Sequence, residues 1–162
     1  MLVVDWDVHH GNGTQHHFEE DPNTLFISIH QHPLTLFPGT GFEEEVGIGA
    51  GVGTTLNCPM MPGGDDAHYH RVFERQVLPR LAEFKPQFLL ISAGFDAHVD
   101  DPLANMKLST EAFDWMTVQS VRLMRELGCP RIVSVLEGGY NLDALSDCVQ
   151  AHLEGMMTPE TR

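Results

Sequence analysis

Two carboxylates and an imidazole occupy alternate positions near the start of the chain, in the stretch VVDWDVHH. Residues two apart in a strand share a face, so Asp5, Asp7 and His9 are predicted on one side and Trp6 and Val8 on the other. Ionised carboxylates are costly to bury without a counter-charge or a metal. Because the first 70 residues contain no lysine or arginine, we predict a bound cation. The alternative is an exposed strand end with solvated acids.

A further acidic residue follows the apolar run QFLLISA, in the stretch ISAGFDAH. The carboxyl ends of parallel strands line the ligand crevice of an open α/β sheet, so Asp96 is predicted on the same rim as Asp7 and His9. Two carboxylates and one imidazole leave coordination positions open. This donor set is typical of a catalytic metal rather than of a closed structural site. His98 is near enough to Asp96 in the sequence to be another candidate at this rim.

A tyrosine follows a glycine pair at the end of the last predicted strand, in the stretch LEGGYNLDAL. Gly138 and Gly139 allow a sharp turn that carries Tyr140 over the same rim. A tyrosine hydroxyl beside a metal can donate a hydrogen bond to a developing oxyanion. The alternative is that Tyr140 is a packed loop residue, because tyrosines are common in both buried and exposed positions.

A larger framework must position these residues, and short apolar or β-branched runs alternate here with segments of helical period. This alternation predicts an α/β fold, with a parallel sheet flanked by helices. Pro79 predicts a kink or an early stop in the first predicted helix. The glycine-rich stretch 31–53 is predicted to be a long loop. Strands are predicted at about 2–6, 24–30, 54–58, 87–93 and 131–136, and helices at about 65–83, 109–127 and 142–156.

The composition limits the classes of protein to which the chain can belong. Its 162 residues fit one domain with a substantial core. The three cysteines are widely separated, which predicts neither a disulfide framework nor a thiolate zinc site. No apolar run approaches the roughly 20 residues that cross a bilayer. The net charge of −14 argues against nucleic-acid binding and allows a cationic substrate. We expect a cytoplasmic protein that binds neither membranes nor nucleic acid.

Five motifs cover nearly the whole chain: DWDVHHGNGTQ, FISIH, LFPGTG, SAGFDAH followed by DDPLANMKLS, and EGGYNLDAL. In this order they resemble the C-terminal half of the zinc-dependent histone deacetylase family, which includes acetylpolyamine amidohydrolases and related bacterial enzymes. The resemblance implies that residues 1–162 are the C-terminal part of a deacetylase catalytic domain. It implies a partial arginase/deacetylase-like fold with about five of eight strands. The last strand, RIVSVL, would then be an exposed apolar edge that favours aggregation.

The resemblance also implies roles for individual residues. Asp7, His9 and Asp96 match the zinc ligands, with one zinc ion per chain, and Tyr140 matches the tyrosine that polarises the scissile amide carbonyl. The asparagine at position 12 matches class II members. The other matches are a potassium site at Asp5 and Ser28, a second such site built from carbonyls of Phe18, Asp21 and Thr24, substrate-channel positions at Phe37, Leu103, Gly138 and Gly139, and Asn12 as an orienting residue for the general base.

The implied reaction is metal-assisted hydrolysis of an amide in acetylated lysine, a polyamine or another acylated amine. The family's general base is a pair of adjacent histidines upstream of the first zinc-binding strand. The sequence begins at that strand, and His9 and His10 do not replace the pair. We therefore expect metal binding to be more robust than turnover in this chain by itself. A catalytically silent metal-binding fragment is one alternative, and a ureohydrolase-like enzyme with two manganese ions is another. The native metal and the oligomeric state stay open.

Overall fold

The computed structural model describes residues 1–157 of the chain. Its centre is a five-stranded sheet with the order β3-β2-β1-β4-β5, in which all neighbouring strands are parallel. The predicted parallel sheet is confirmed, and the predicted strand ends differ from the observed ones by at most two residues. The strands are β1 (Leu2–Asp5), β2 (Leu25–Gln31), β3 (Thr55–Met60), β4 (Leu89–Ala93) and β5 (Ile132–Leu136).

The central strand β1 leads directly into the first predicted motif. All four residues of β1 are buried, which is typical of a parallel strand that is covered on both faces. The prediction that the strand continues past Asp5 is wrong, because the chain is irregular beyond that residue. The alternation of burial nevertheless persists: Trp6 and Val8 are buried, whereas Asp7 and His9 are half-buried. The polar residues of the motif therefore lie at the carboxyl end of the sheet.

Within residues 1–157, five α-helices accompany the sheet. Side-chain caps begin three of them, because Asp65, Ser109 and Asn141 each accept a hydrogen bond from a backbone N–H of the first turn. The residues NGTQHHF of α1 lack an apolar period, and α1 is not among the predicted helices. The helices are α1 (Asn12–Phe18), α2 (Asp66–Val72), α3 (Leu78–Phe84), α4 (Thr110–Glu126) and α5 (Leu142–Met156).

The helix predicted at 65–83 is not one regular α-helix. A π-helical turn, Phe73–Val77, separates α2 from α3, and Pro79 is the second residue of α3. A proline lacks an N–H donor, and its ring clashes with the carbonyl four residues earlier. A wider turn just before the proline relieves this conflict, so the predicted kink takes the form of a π-helical turn. The helical path then continues to Phe84.

The apolar core lies between one face of the sheet and the helices α2 to α5. Val4 of β1, Ile27 of β2 and Ile91 of β4 belong to one buried cluster with Tyr69 of α2 and Phe113 of α4. The three strand residues are register partners, so they point to the same face of the sheet. The core therefore fixes the register of three neighbouring strands, whose carboxyl ends carry the candidate functional residues.

The two remaining predictions about the framework concern a loop and an edge. Residues 32–54 form the predicted long loop, and its one regular element is the 3-10 turn Gly49–Gly51. The strand β5 is the last in the sheet order, and Val133 and Val135 are 44% and 45% exposed. In the part of the chain that the structure describes, no helix combines the length and the apolar character needed to span a membrane.

Candidate metal centre

Three predicted ligands meet beyond the carboxyl ends of β1 and β4. Asp7 and His9 follow β1, and Asp96 follows β4. One ligand atom from each side chain lies within 4.8 Å of the other two. Nδ1 of His9 lies 3.0 Å from Oδ1 of Asp7 and 3.1 Å from Oδ2 of Asp96. Among residues 1–157, this is the only group of three or more His, Cys, Asp or Glu side chains that converges in this way.

Backbone hydrogen bonds hold both carboxylates of this metal-ligand group in position. Oδ1 of Asp7 accepts a hydrogen bond from the N–H of His9 at 2.8 Å, and Oδ2 of Asp7 accepts one from the N–H of Gly138 at 2.7 Å. Oδ1 of Asp96 accepts a hydrogen bond from the N–H of Val8 at 2.7 Å. Because these donors and acceptors belong to segments that follow the three neighbouring strands β1, β4 and β5, the sheet itself preorganises the group.

Two glycines permit the close approach of these segments. A Cβ atom on Gly94 would lie 2.5 Å from the Cα of Asp7. A Cβ atom on Gly138 would lie 2.6 Å from Oδ2 of Asp7 and would overlap with the carboxylate of Asp96. Close packing of this kind leaves no room for a side chain without displacing a carboxylate. The two positions therefore belong to the structural requirements of the site.

The electrostatics of the group favour a positive charge. Hydrogen bonds with the Asp7 and Asp96 carboxylates raise the pKa of His9 to about 10, against an opposing effect of burial. Burial raises the pKa of Asp7, but hydrogen bonds from His9 and Gly138 outweigh it, so the net pKa is lowered. Burial also raises the pKa of Asp96, and the hydrogen bond with His9 offsets this only in part.

The donor set fits a divalent cation. Two carboxylates and one imidazole each place a ligand atom within 4.8 Å of the others, and a cation among them would replace the proton that His9 otherwise holds. Such a set suits Zn²⁺ with open coordination positions, and it also suits other first-row divalent ions. The residues present are therefore compatible with the single metal that the sequence predicts.

Tyr140 lies at the rim of the same site. Its ring centroid is 6.5 Å from that of His9 in an edge-to-face arrangement, and its side chain is half exposed. Burial, and to a smaller degree the charges of Asp96 and Asp7, raise the pKa of the Tyr140 phenol. The hydroxyl is therefore kept protonated as a hydrogen-bond donor. Tyr140 lines an open cavity of about 550 Å³ together with Asp7, His9, Phe37 and Gly139.

Asp5 and Ser28, the predicted potassium ligands, are register partners on β1 and β2. Both are buried, and the carboxylate of Asp5 accepts a hydrogen bond from the N–H of Asp7 at 3.0 Å. Burial and the charge of Asp7 raise the pKa of Asp5 well above its ordinary value. The hydroxyl of Ser28 lies 2.8 Å from Nδ1 of His30. A monovalent cation beside Asp5 would offset the cost of this buried acid, and the potassium role stays a prediction.

The residues of the second predicted potassium site run from the last residue of α1 to the residue before β2. The carbonyl of Phe18 accepts a hydrogen bond from the N–H of Asp21 at 2.9 Å, and the carboxylate of Asp21 accepts one from the hydroxyl of Thr24 at 2.7 Å. The three residues therefore form one compact turn. A carbonyl oxygen can accept a second partner, so this arrangement leaves the predicted cation role open.

The predicted substrate positions are not all part of the cavity. Phe37, Gly138 and Gly139 line it, and Phe37 is 78% exposed. Leu103 is 54% exposed and is not among the residues that line this cavity. Asn12 is exposed at the first position of α1 and does not line the cavity either. The roles assigned to Leu103 and Asn12 therefore stay predictions from the resemblance.

The other histidines near the motifs have structural partners. The two ring nitrogens of His10 lie 2.9 Å from the Thr40 hydroxyl and 2.8 Å from the Gln15 amide oxygen. His98, the additional candidate at the rim, is not part of the metal-ligand group. Its Nδ1 accepts a hydrogen bond from the N–H of Asp100 at 3.1 Å, so it stabilises the turn that follows β4.

One buried residue beside the site, Asp101, is not among the residues that the sequence predicts to be functional. Asp101 is buried, and its carboxylate accepts hydrogen bonds from the backbone N–H groups of Leu103 and Tyr140. The sequence carries a signal for the first of these bonds, because an aspartate before proline is typical of a turn in which its side chain binds the amide two residues on. The second bond joins residues 39 positions apart, and no local pattern predicts it.

The comparisons with known proteins point to one family. The model of the histone deacetylase domain matches residues 1–156. The chain is 46% identical to "Histone deacetylase 14, chloroplastic" of Arabidopsis thaliana over 149 residues. This alignment covers 92% of the chain and 35% of that protein. It is 45% identical to a "Probable deacetylase" of Archaeoglobus fulgidus over 143 residues, and this alignment covers 88% of the chain and 39% of that protein. The chain thus spans less than half of either relative.

Solved structures agree in fold. The crystal structure of the HDA15 HD domain superposes with a TM-score of 0.90 at 40% identity, over 99% of this chain and 45% of that one. The structure of the histone deacetylase Clr3 also gives a TM-score of 0.90, at 38% identity, over 99% of this chain and 27% of that one. Sequence, fold and family model agree over almost all of residues 1–157, and the chain belongs to the histone deacetylase domain family.

Proposed function

We propose that this chain carries the metal-binding half of a zinc-dependent deacetylase site and takes part in the hydrolysis of an acyl-amine amide. The observation that carries the proposal is the convergence of Asp7, His9 and Asp96, with Tyr140 lining the same open cavity as Asp7 and His9. Membership of the family supports the same reaction class. Within the described residues 1–157 one group of ligands converges, which supports one metal ion and disfavours the alternative with two manganese ions.

Each residue of the candidate site has a defined role in the proposed reaction. Asp7, His9 and Asp96 would hold the metal, which when bound supplies Lewis acidity and lowers the pKa of water. Tyr140 donates a hydrogen bond from its phenol to the oxygen of the scissile amide as negative charge develops there. The Gly138 and Gly139 backbone lets an extended substrate chain approach this point closely, and Phe37 offers an apolar surface for its methylene groups.

The class of substrate follows from the shape and charge of the chain. The apolar ring of Phe37 at the cavity and the carboxylates behind it suit a side chain with an aliphatic stem and an amide end, as in acetyl-lysine or an acetylated polyamine. The net charge of −14 suits a substrate with positive charge beyond the reacting amide. We propose that Asp5 and Ser28 bind a potassium ion, because the buried Asp5 carboxylate has no cationic side chain beside it in residues 1–157.

A second function is a metal-binding module without turnover. Of the residues that line the cavity, the two histidines are His9, which belongs to the ligand group, and His10. Both ring nitrogens of His10 already face Thr40 and Gln15, so His10 is not placed to take a proton from an attacking water. Hydrolysis by this chain therefore needs a general base other than these two histidines.

The test combines metal titration with a hydrolysis assay. The purified chain is titrated with Zn²⁺ against a chromogenic chelator, and acetate release is measured from an acetyl-lysine peptide and from an acetylated polyamine. One bound ion per chain with acetate release supports the proposal. One bound ion without release by the chain alone, but with release once the remaining part of a homologous deacetylase domain is added, also supports the proposal. One bound ion without release in either case supports the metal-binding module. Failure to bind any divalent ion contradicts both functions.

A further inference from the structure

The segment that carries Tyr140 needs an anchor of its own. Gly138 and Gly139 precede the tyrosine, and Gly139 has a φ of 146°, a conformation that a residue with a side chain rarely adopts. Gly138 is fixed on both sides, because its N–H donates to Asp7 and its carbonyl accepts from the N–H of Phe95 at 2.7 Å. These bonds end at Gly138, so they leave the direction of the chain at Tyr140 undetermined.

Asp101 supplies the missing anchor from the neighbouring loop. Its side chain is buried, and Oδ2 accepts a hydrogen bond from the N–H of Tyr140 at 2.8 Å. Its other oxygen, Oδ1, accepts a hydrogen bond from the N–H of Leu103 at 2.9 Å. Hydrogen bonds to a carboxylate are shorter and stronger than those between neutral groups. One carboxylate thus joins the loop after β4 to the loop after β5.

The surroundings of Asp101 leave its carboxylate few other partners. Within residues 1–157 no cationic side chain forms an ion pair with it, and its hydrogen-bond donors are the two N–H groups. Asn141, the residue after Tyr140, strengthens the same junction, because its side-chain amide donates a hydrogen bond to the carbonyl of Asp100 at 3.0 Å. A buried carboxylate is costly to leave unpaired, which favours the bonded arrangement of both loops.

We propose that Asp101 is a positioning residue, whose carboxylate sets the place of the Tyr140 phenol relative to the metal-ligand group by binding the Tyr140 amide. The inference rests on the function proposed above, in which that phenol faces the reacting amide. Asp101 itself does not line the cavity, so it acts through Tyr140. Replacement of Asp101 is therefore expected to lower kcat with little effect on KM or on metal affinity.

The test compares Asp101→Asn with Asp100→Asn. Asparagine has about the same shape but only one acceptor oxygen, which is uncharged. Whichever way the amide turns, the Tyr140 N–H loses its charged acceptor, and one of the two N–H groups faces the NH₂ group. Asp100 is exposed, and its replacement removes the same charge without touching the Tyr140 amide. In the zinc-loaded chain, hydrogen exchange at the Tyr140 amide is expected to be about 10- to 100-fold faster in Asp101→Asn and unchanged in Asp100→Asn.

A second measurement reports on the phenol itself. Cobalt(II) fits the same donor set as zinc, and its paramagnetism shifts the resonances of nearby hydrogens in a distance-dependent way. The shifts of the Tyr140 ring hydrogens are expected to change in Asp101→Asn and to stay the same in Asp100→Asn. Equal metal affinity in the three proteins shows that the ligand group is intact. Unchanged amide exchange, or unchanged ring shifts, in Asp101→Asn overturns the inference.

The two proposals fail in different ways. A metal-loaded chain that releases no acetate, with or without the rest of a deacetylase domain, contradicts the proposed function. The exchange and paramagnetic measurements need no turnover, so they decide the role of Asp101 by themselves. Where turnover is observed, kcat is expected to fall about tenfold or more in Asp101→Asn with KM unchanged. A parallel rise in KM with constant kcat contradicts the positioning role.

Discussion

The backbone N–H of Gly138 donates a hydrogen bond to Oδ2 of Asp7 at 2.7 Å, across 131 positions of the sequence. The bond joins the loop after β5 to the segment after β1, although the strand β4 lies between these two strands in the sheet. The approach is close because Gly138 has no side chain. The same backbone position thus orients a metal ligand and begins the loop that carries Tyr140.

The first prediction follows from this contact. Replacement Gly138→Ala is expected to weaken zinc binding by more than about tenfold, because the added Cβ would overlap with Asp96 and would lie 2.6 Å from the Asp7 carboxylate. The matched control is Gly13→Ala, since a Cβ there meets no atom within 4 Å and the residue lies in α1. Alanine favours a helix over glycine, so the control is expected to bind zinc normally and to unfold at a slightly higher temperature.

The second prediction concerns the charge of one ligand. Asparagine at position 96 keeps an acceptor for the N–H of Val8 but removes the negative charge, so Asp96→Asn is expected to fold and to lose more than about 100-fold in zinc affinity. Competition with a chromogenic chelator measures the affinity. Asp147→Asn, at an exposed position of α5, removes the same charge away from the site and serves as control. Equal affinity in both variants would exclude Asp96 as a ligand.

The framework of the site is largely visible in the sequence, because buried parallel strands need continuous apolar runs. LFISI and LLISA are such runs, and each predicts its strand within two residues. The metal ligands are predictable for the same reason. Polar residues that directly follow two such runs must meet at one edge of a parallel sheet, whichever helices connect the strands.

The parts that the sequence does not predict depend on tertiary contacts. The helix α1 has no apolar stripe, and its one buried side chain, Gln15, is held by hydrogen bonds with His10, Asn57 and Glu45. Propensity alone does not favour a helix of this length. The role of Asp101 is not predictable for the same reason. The pair Asp100 and Asp101 has the sequence pattern of exposed surface charges, and only the hydrogen bond with the distant Tyr140 amide distinguishes Asp101.

The third prediction tests the exposed edge of the sheet. Val133 and Val135 point away from the helical face on β5, which has one neighbouring strand in residues 1–157. An exposed apolar strand edge can pair with another chain, so Val135→Lys is expected to reduce self-association at high protein concentration. Light scattering and sedimentation measure this effect. Val52→Lys adds the same charge at an exposed loop position, 64% exposed, and is expected to have a smaller effect. Equal effects of both variants would attribute the change to net charge alone.

The fourth prediction concerns His152 of α5, whose ring nitrogens lie 2.7 Å from the Thr117 hydroxyl and 2.8 Å from the Ser134 hydroxyl. Burial lowers the pKa of His152 to about 4, from an ordinary value of 6.5. Between these two values the unfolded chain binds the proton more readily, so the free energy of unfolding rises with pH. Well above pH 6.5 the imidazole is neutral in both the folded and the unfolded chain, so it no longer changes the free energy of unfolding as the pH rises.

As the pH falls from 7 to 5, protonation of His152 in the unfolded chain is expected to lower the free energy of unfolding by about 2 kcal/mol. Urea unfolding of the metal-free chain at these two pH values measures this loss, and His152→Gln is expected to show a correspondingly smaller one. The difference between variant and wild type cancels the contributions of other groups, among them His30, whose pKa burial also lowers to about 4. The exposed His17 offers the control, His17→Gln, which is expected to keep the wild-type dependence. An unchanged pH dependence in His152→Gln would mean that His152 is accessible to protons in the folded protein.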